Sequence, residues 1–450
     1  MQKNSKLGVF DCTMIVVGLV LGMGIFRTPA NVAQAVPNTA IFYLTWIVGG
    51  AVAICGALTY AEIGSRLPVI GGYYKVVSYG YHPSIAFAIN CIILVSNAAS
   101  ISGVALIGAE YISGVIFPAV KDLHALQTRE IAIALVSILI FYGVNLLGLI
   151  MSARTQNVLM VIKISLVVLL ITPLFFSDAS PGILHQAKQI SAGWMTYLKG
   201  FGTGLIAVSF TYGGYQQTIN FGADVANPSR NMPRAIFMGI CIIILLYLSI
   251  NYAYVHVIGL EGLRDSKGIA SVMAQHVFGD AAGKVLSILL FISVLAYVNV
   301  SLMSNPRVMC AMGEDGVIPA IFAKRVQSNG VLFVSLSLYT AVCLLVVFWA
   351  KAFDEILSFS IFLDCFGMAT SASTIFILRR KQVEPKDSDF YRMKMYPLMP
   401  LIFISAYVFV AISVSVSQPR IALTGLSVLA FFALIYFLGA WRKKKPKTLN

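Results

Sequence analysis

Charge is what this chain has least of. Only 11% of its 450 residues are ionisable Asp, Glu, Lys or Arg, against about 25% in soluble globular proteins. With 58% hydrophobic residues, a soluble globule is excluded. Length as a guide to the number of soluble domains does not apply. Histidine is also sparse: the five are scattered and form no ligand pair. The seven cysteines (Cys12, Cys55, Cys91, Cys241, Cys310, Cys343 and Cys365) all fall in apolar stretches without CxxC spacing. They read as buried packing thiols, not as metal ligands or disulfides. No HExxH motif, Ser nucleophile beside a His, or pair of mid-span carboxylates is found, so an intramembrane enzyme is disfavoured. No catalytic residue, metal or cofactor is expected. No cleavable signal peptide is expected either, because the first apolar run is too long, is broken by glycines and has no small-residue cleavage site after it.

What the chain does have is apolar runs of membrane-spanning length from end to end, each able to cross about 30 Å of hydrocarbon. An all-α polytopic membrane domain is predicted. Its spans fall near 9–36, 40–67, 83–117, 130–150, 155–176, 198–221, 234–258, 282–311, 331–350, 354–378, 397–416 and 421–441, which makes about twelve. The net charge of +14 raises the question of nucleic acid. The basic residues, however, lie in short connections and in the tail Trp441-Arg442-Lys443-Lys444-Lys445, where Trp followed by Lys/Arg anchors a helix at an anionic membrane face. No nucleic-acid partner is predicted; the lipid bilayer is. Placing both termini in the cytoplasm puts most Lys and Arg on inner loops, leaving Arg27 and Lys163 within spans.

Glycine interrupts two of these spans. The first carries Gly18-Leu19-Val20-Leu21-Gly22-Met23-Gly24-Ile25-Phe26-Arg27-Thr28-Pro29, although each interior Gly costs a helix about 1 kcal/mol relative to Ala. Irregular backbone at that depth is tolerated only where it lines a protein cavity. The stretch is not a dinucleotide loop, since GxGxxG would need Gly at Arg27 and a strand before it. The sixth span repeats the device in Ser209-Phe210-Thr211-Tyr212-Gly213-Gly214-Tyr215-Gln216-Gln217. Glycine-broken spans at matching positions point to an inverted-repeat secondary transporter, with repeats near 9–176 and 198–380 and two appended helices near 397–441. The competing reading, close helix packing through small residues, fits the Gly18/Gly22 spacing.

Two further motifs flank these breaks. Tyr60-Ala61-Glu62-Ile63-Gly64 closes span 2, with Leu67-Pro68 and Gly71-Gly72-Tyr73-Tyr74 after it. Ala223-Asp224-Val225-Ala226-Asn227-Pro228-Ser229-Arg230-Asn231-Met232-Pro233-Arg234 comes after span 6, where Pro233 suits the opening turn of a helix. Taken in order, the four motifs resemble the amino acid–polyamine–organocation superfamily, in particular the L-type amino-acid transporters and their bacterial relatives, from about residue 8 to 380. The resemblance implies a LeuT-type fold of five-plus-five inverted repeats with broken helices 1 and 6.

It also implies a site. Gly22-Met23-Gly24-Ile25-Phe26 resembles the family's Gly-Ser-Gly-Ile-Phe loop, whose backbone N–H groups receive an amino acid's carboxylate. A half-helix N-terminus offers the unpaired donors and positive potential for this. Met23 stands where the family usually has Ser. Carbonyls near Val20 and from Thr211 through Tyr212 to Gly213 would accept the substrate ammonium. Phe210 matches the family's lid aromatic, whereas Tyr215 and Gln216 replace a usual Trp and Asn. Lys163 aligns with a family lysine that occupies the region of a sodium site in sodium-coupled relatives, implying sodium-independent transport. Proton coupling through Lys163 and a permanent tether both fit, as does snorkelling to the inner face.

Asp364, near the middle of span 10, aligns with a commonly neutral position beside the substrate's side-chain end. It could attract an amine, carry a proton, or pair structurally with Asn97 or Asn299. Glu110 and Glu62 read as interface or gate residues, and Asp11 as a helix-start residue.

The function implied is a sodium-independent carrier of amino acids, neutral L-amino acids first, by exchange or proton symport. A basic amino-acid or polyamine carrier is the alternative. A channel would want a symmetric ring around one pore. The heteromeric relatives bond an accessory subunit through a cysteine after span 3; Pro118–Ala125 has none, so a stand-alone carrier, multi-pass in a bacterial inner membrane, is expected.

Overall fold

A computed structural model describes residues 6–22, 24–118, 122–175, 193–265, 269, 280–349, 353–384 and 390–440. Met23, where the family usually has Ser, lies outside the described residues. Fourteen α-helices are described: α1 (Val9–Val20), α2 (Gly24–Ala35), α3 (Thr39–Arg66), α4 (Gly72–Gly80), α5 (Pro83–Ile116), α6 (Leu123–Leu146), α7 (Leu149–Ile171), α8 (Trp194–Tyr212), α9 (Pro228–Asp265), α10 (Asp280–Glu314), α11 (Phe333–Trp349), α12 (Phe353–Arg380), α13 (Leu398–Ser417) and α14 (Pro419–Ala440). Among the described residues there is no strand, only two isolated bridges. Ten helical segments among them, α1 and α2 counting as one, are long and apolar enough to cross a membrane. The apolar α11 has 17 residues. α8 carries Lys199, three glycines and several hydroxyls in its 19 residues, which accounts for its absence from that set.

The helix ends have local causes. Asn38 Oδ1 accepts from the Ile41 N–H at 3.0 Å to start α3. Pro83 opens α5, where its missing N–H is not needed. Asp11 takes the Gly8 N–H at 3.0 Å and also the Asn157 amide at 2.7 Å, so this helix-start residue ties span 1 to α7 as well. Several boundaries differ from the sequence reading: α6 begins at Leu123 and not near 130, and α9 runs from Pro228 to Asp265 and not from 234 to 258. The expected turn between spans 4 and 5 falls at Gly148 (φ 106°), inside an apolar run, so α6 and α7 meet several residues earlier than expected. Pro233 lies inside α9, not in its opening turn. A helical proline frees the carbonyl four residues back, and the freed Ser229 carbonyl accepts from Ser65 Oγ at 2.7 Å.

The helices form two packed groups. α3 lies along α9 and α8, α1 packs on α9 and α2 on α8, which gathers spans 1, 2, 6 and 7. α5 packs on α10, α6, α11 and α12. The ends of the helices on the side that carries Leu7 and Asp224 are closed by backbone pairing. Leu7 N–H donates to Asp224 O at 2.9 Å, Ala226 N–H to Leu7 O at 3.0 Å, and Gly71 N–H to Asn220 O at 3.0 Å. Arg307 of α10 donates to Asp224 Oδ2 at 2.8 Å and lies over the Phe221 ring. Glu62, wholly buried, is held by Arg66 at 2.8 Å, by Arg379 at 2.9 and 2.7 Å, and by the Met393 N–H at 2.8 Å. A charge taken from water demands such compensation.

Candidate functional site

Span 1 stops being helical after Val20: Leu21 N–H still reaches Val17 O at 2.7 Å, but Gly22 N–H turns back to Val20 O at 2.7 Å. The helix resumes at Gly24. Span 6 stops at Tyr212, where Gly213 N–H caps Phe210 O at 3.1 Å. Beyond it a 3-10 turn over Tyr215–Asn220 takes the place of a second α-helical half.

The two breaks are fitted to each other. A Cβ on Gly24 would lie 2.8 Å from the Thr211 methyl, and one on Gly214 would lie 2.2 Å from the Leu19 carbonyl oxygen. Gly214 also sits at φ 116°, which L side chains avoid. Tyr247 of α9 joins them, its hydroxyl 3.0 Å from Val20 O and 3.2 Å from Thr211 O. The C-terminal ends of α1 and α8 therefore converge, concentrating negative potential, next to the N-terminal end of α2, where a helix carries positive potential.

A cavity of about 890 Å³, counting the open space at its mouth, lies at this junction. Small-molecule sites favour such concave places between helices. Of the residues singled out in the sequence, Val20, Gly22, Gly24, Phe210, Thr211 and Gly213 line it, as do Gln216 and Asp364. Ile25, Tyr212 and Tyr215 do not. Ile25 is fully buried in the core. Tyr212 packs its ring on Trp46 and Tyr247, at 6.0 and 5.1 Å between centroids. The tight 3-10 turn aims Tyr215 away, into the notch left by Gly56 and against Tyr60. Gln216 folds back so that its Oε1 accepts the Gly214 N–H at 2.9 Å, which supports the break.

The lining also includes residues the sequence reading does not assign to the site: Asn97, Ser100, Gln217, Tyr297 and Tyr407. Isolated amides and hydroxyls in mid-span are the available signal, and in sequence Asn97 stands out only as a structural partner. Asp364 pairs with neither Asn97 nor Asn299; its carboxylate accepts from Ser96 Oγ at 3.4 Å. Asn97 instead donates to Asn305 Oδ1 at 2.7 Å, and Asn299 to Gln156 Oε1 at 2.9 Å.

Lys163 does not line the cavity and does not snorkel. It is fully buried, and its Nζ has no hydrogen-bond partner among the described residues. It shares a face of α7 with Gln156 and Met160, which touch Gly18 of α1.

No group of three His, Cys, Asp or Glu able to hold a metal occurs among the described residues. The described lining of the cavity offers backbone groups of both signs, amides and a single carboxylate.

The model of the family described as amino acid permease matches residues 7–439. This chain belongs to that family. It is 25% identical to the serine/threonine exchanger SteT of Bacillus subtilis, over 98% of each chain. It is 24% identical to the large neutral amino acids transporter small subunit 2 of Rattus norvegicus, over 99% of this chain and 83% of that one. The Asc-type amino acid transporter 1 of Mus musculus is 23% identical over the same shares. Membership of this amino acid–polyamine–organocation family agrees with a LeuT-type fold whose first and sixth spans are broken.

Proposed function

We propose that this permease is a sodium-independent secondary carrier of amino acids, neutral L-amino acids first, working by alternating access as an exchanger or proton symporter. The observation that carries the reading is the convergence of the Val20 and Thr211 carbonyl ends beside the α2 N-terminus. It provides complementary places for an ammonium and a carboxylate held one carbon apart. The names of SteT and of the neutral amino acid transporter point the same way. In this reading spans 1–5 and 6–10 are the repeats. The group formed by spans 1, 2, 6 and 7 rocks against the α5 and α10 group, releasing the inner contacts of Asp224 and Leu7 when the site faces the cytoplasm. The carrier acts without a disulfide-linked partner, in a bacterial inner membrane, with both termini in the cytoplasm.

Counterflow into proteoliposomes over a panel of amino acids tests this. Exchange of at least one neutral amino acid without sodium is expected, and no exchange of any neutral amino acid would sink the reading. A second reading, a basic amino-acid or polyamine carrier, is favoured by the Asp364 carboxylate in a cavity whose described lining has no basic side chain; exchange restricted to cationic substrates would select it. Whether Lys163 couples protons is decided by a pH gradient. If it does, Lys163→Ala retains exchange but loses gradient-driven uptake, whereas equal pH dependence in the two proteins rejects that role.

A further inference from the structure

Ser96 and Asn97 are consecutive on α5, and each holds a cavity-lining side chain from a different element. Ser96 Oγ donates to Asp364 Oδ1 of α12 at 3.4 Å. Asn97 Oδ1 accepts from Gln217 Nε2, on the turn after α8, at 3.2 Å. The Asn97 amide nitrogen donates to Asn305 Oδ1. These bonds leave acceptors over. Gln217 Oε1 is buried and has no hydrogen-bond partner among the described residues, and Asp364 has one long bond from a hydroxyl. The described cavity lining contains no Lys, Arg or His to balance the carboxylate.

Buried acceptors without donors are costly and rare; Gln217 Oε1 is one, and the half-buried Asp364 carboxylate beside it has a single long bond and no counter-charge in the described lining, so together they call for a donor from a ligand. The substrate's own carboxylate cannot supply it, since Asp364 would repel it. Its ammonium is provided for at the ends of α1 and α8.

The geometry points to Asp364, with Gln217 beside it, as the residue that reads the substrate's side chain, accepting a hydrogen bond from a hydroxyl or ammonium group at its end. This rests on the amino-acid carrier reading and deepens it. Substrates with a donor at the end of the side chain are preferred over apolar ones of equal shape. A site built to bond a donor rejects the analogue that lacks it far more strongly than an apolar pocket rejects an added hydroxyl.

The test is competition against counterflow by two isosteric pairs, threonine with valine and ornithine with norleucine. The donor-bearing member should compete better by about tenfold or more in at least one pair. Asp364→Leu should bring that ratio to within about threefold of unity. Asp364→Asn separates the sources: it keeps a hydroxyl preference, because an acceptor oxygen remains, and abolishes an ammonium preference. Equal competition within both pairs by the wild type overturns the proposal. So does a ratio unchanged in Asp364→Leu, or an equal loss of all four ligands in it, which would make Asp364 the α-ammonium ligand. If Asp364→Leu carries no flux, thermal stabilisation of the detergent-purified protein by the same four amino acids supplies the ratio. Absence of counterflow for every amino acid strikes the carrier reading instead, which keeps the two failures apart.

Discussion

The Tyr247 hydroxyl donates to the main-chain carbonyl of Val20 across 3.0 Å, from a helix more than two hundred residues further along the chain. The same oxygen lies 3.2 Å from Thr211 O, so one phenol serves both broken spans. A hydroxyl gives only one proton, and the bond alternates or is shared between the two carbonyls.

Tyr247→Phe removes that proton and leaves the ring packing on Trp46 and Tyr212. A buried carbonyl left without its donor costs about 1–3 kcal/mol. Placed at the substrate end of α1, this loss is expected to slow exchange by about tenfold and to lower the unfolding midpoint by a few degrees. An unchanged exchange rate would show that Tyr247 does not hold the junction.

The break glycines should differ in tolerance. Gly214→Ala sets a methyl group 2.2 Å from the Leu19 carbonyl oxygen at a positive φ, which cannot be relieved by a side-chain shift, and loss of folded protein on size-exclusion chromatography is expected. Gly22→Ala meets nothing closer than 3.9 Å and should fold. Equal behaviour of the two variants would contradict the fit between the breaks.

Removing Glu62 strands two guanidinium groups. Breaking a buried pair costs about 3–5 kcal/mol, so Glu62→Gln should lower the unfolding midpoint by several degrees. Glu261→Gln is the contrast. Its side chain is 74% exposed, and Arg264 keeps the Ala33 and Val36 carbonyls at 2.8 and 2.7 Å, so no measurable shift is expected.

Asp224→Asn weakens the ion pair with Arg307, which the proposed alternating-access reading places at the inner gate. A larger inward-facing population is expected, read as faster alkylation of the cavity-lining Cys365 by a membrane-permeant maleimide in peptide-resolved mass spectrometry. An unchanged rate would remove Asp224 from the gate.

Much of this is legible in sequence order. Glycines at 22, 24, 213 and 214 weaken a continuous membrane helix, and their recurrence five spans apart gives away both breaks. The Gly148 turn is hidden because the residues around it are uniformly apolar, leaving hydropathy no edge to detect. The wall of Asn97, Ser100, Gln217 and Tyr297 is illegible for another reason: a mid-span amide can face a neighbouring helix or a cavity, and only the packing of α5 against α10 and α12 decides which. Tyr215 escapes the sequence reading because position in a motif does not give side-chain direction once an α-helix tightens to a 3-10 turn.

Gly56 has a part in this although it never touches the cavity. A Cβ there would lie 2.0 Å from the Tyr215 hydroxyl and 2.4 Å from the Phe403 ring, so the bare backbone of span 2 is the slot in which Tyr215 is parked. Any larger residue at 56 would evict one of those rings. The capacity of the cavity thereby depends on a missing methyl group one helix away, and a homologue with alanine at that position would have to house its aromatic ring, and with it its substrate, differently.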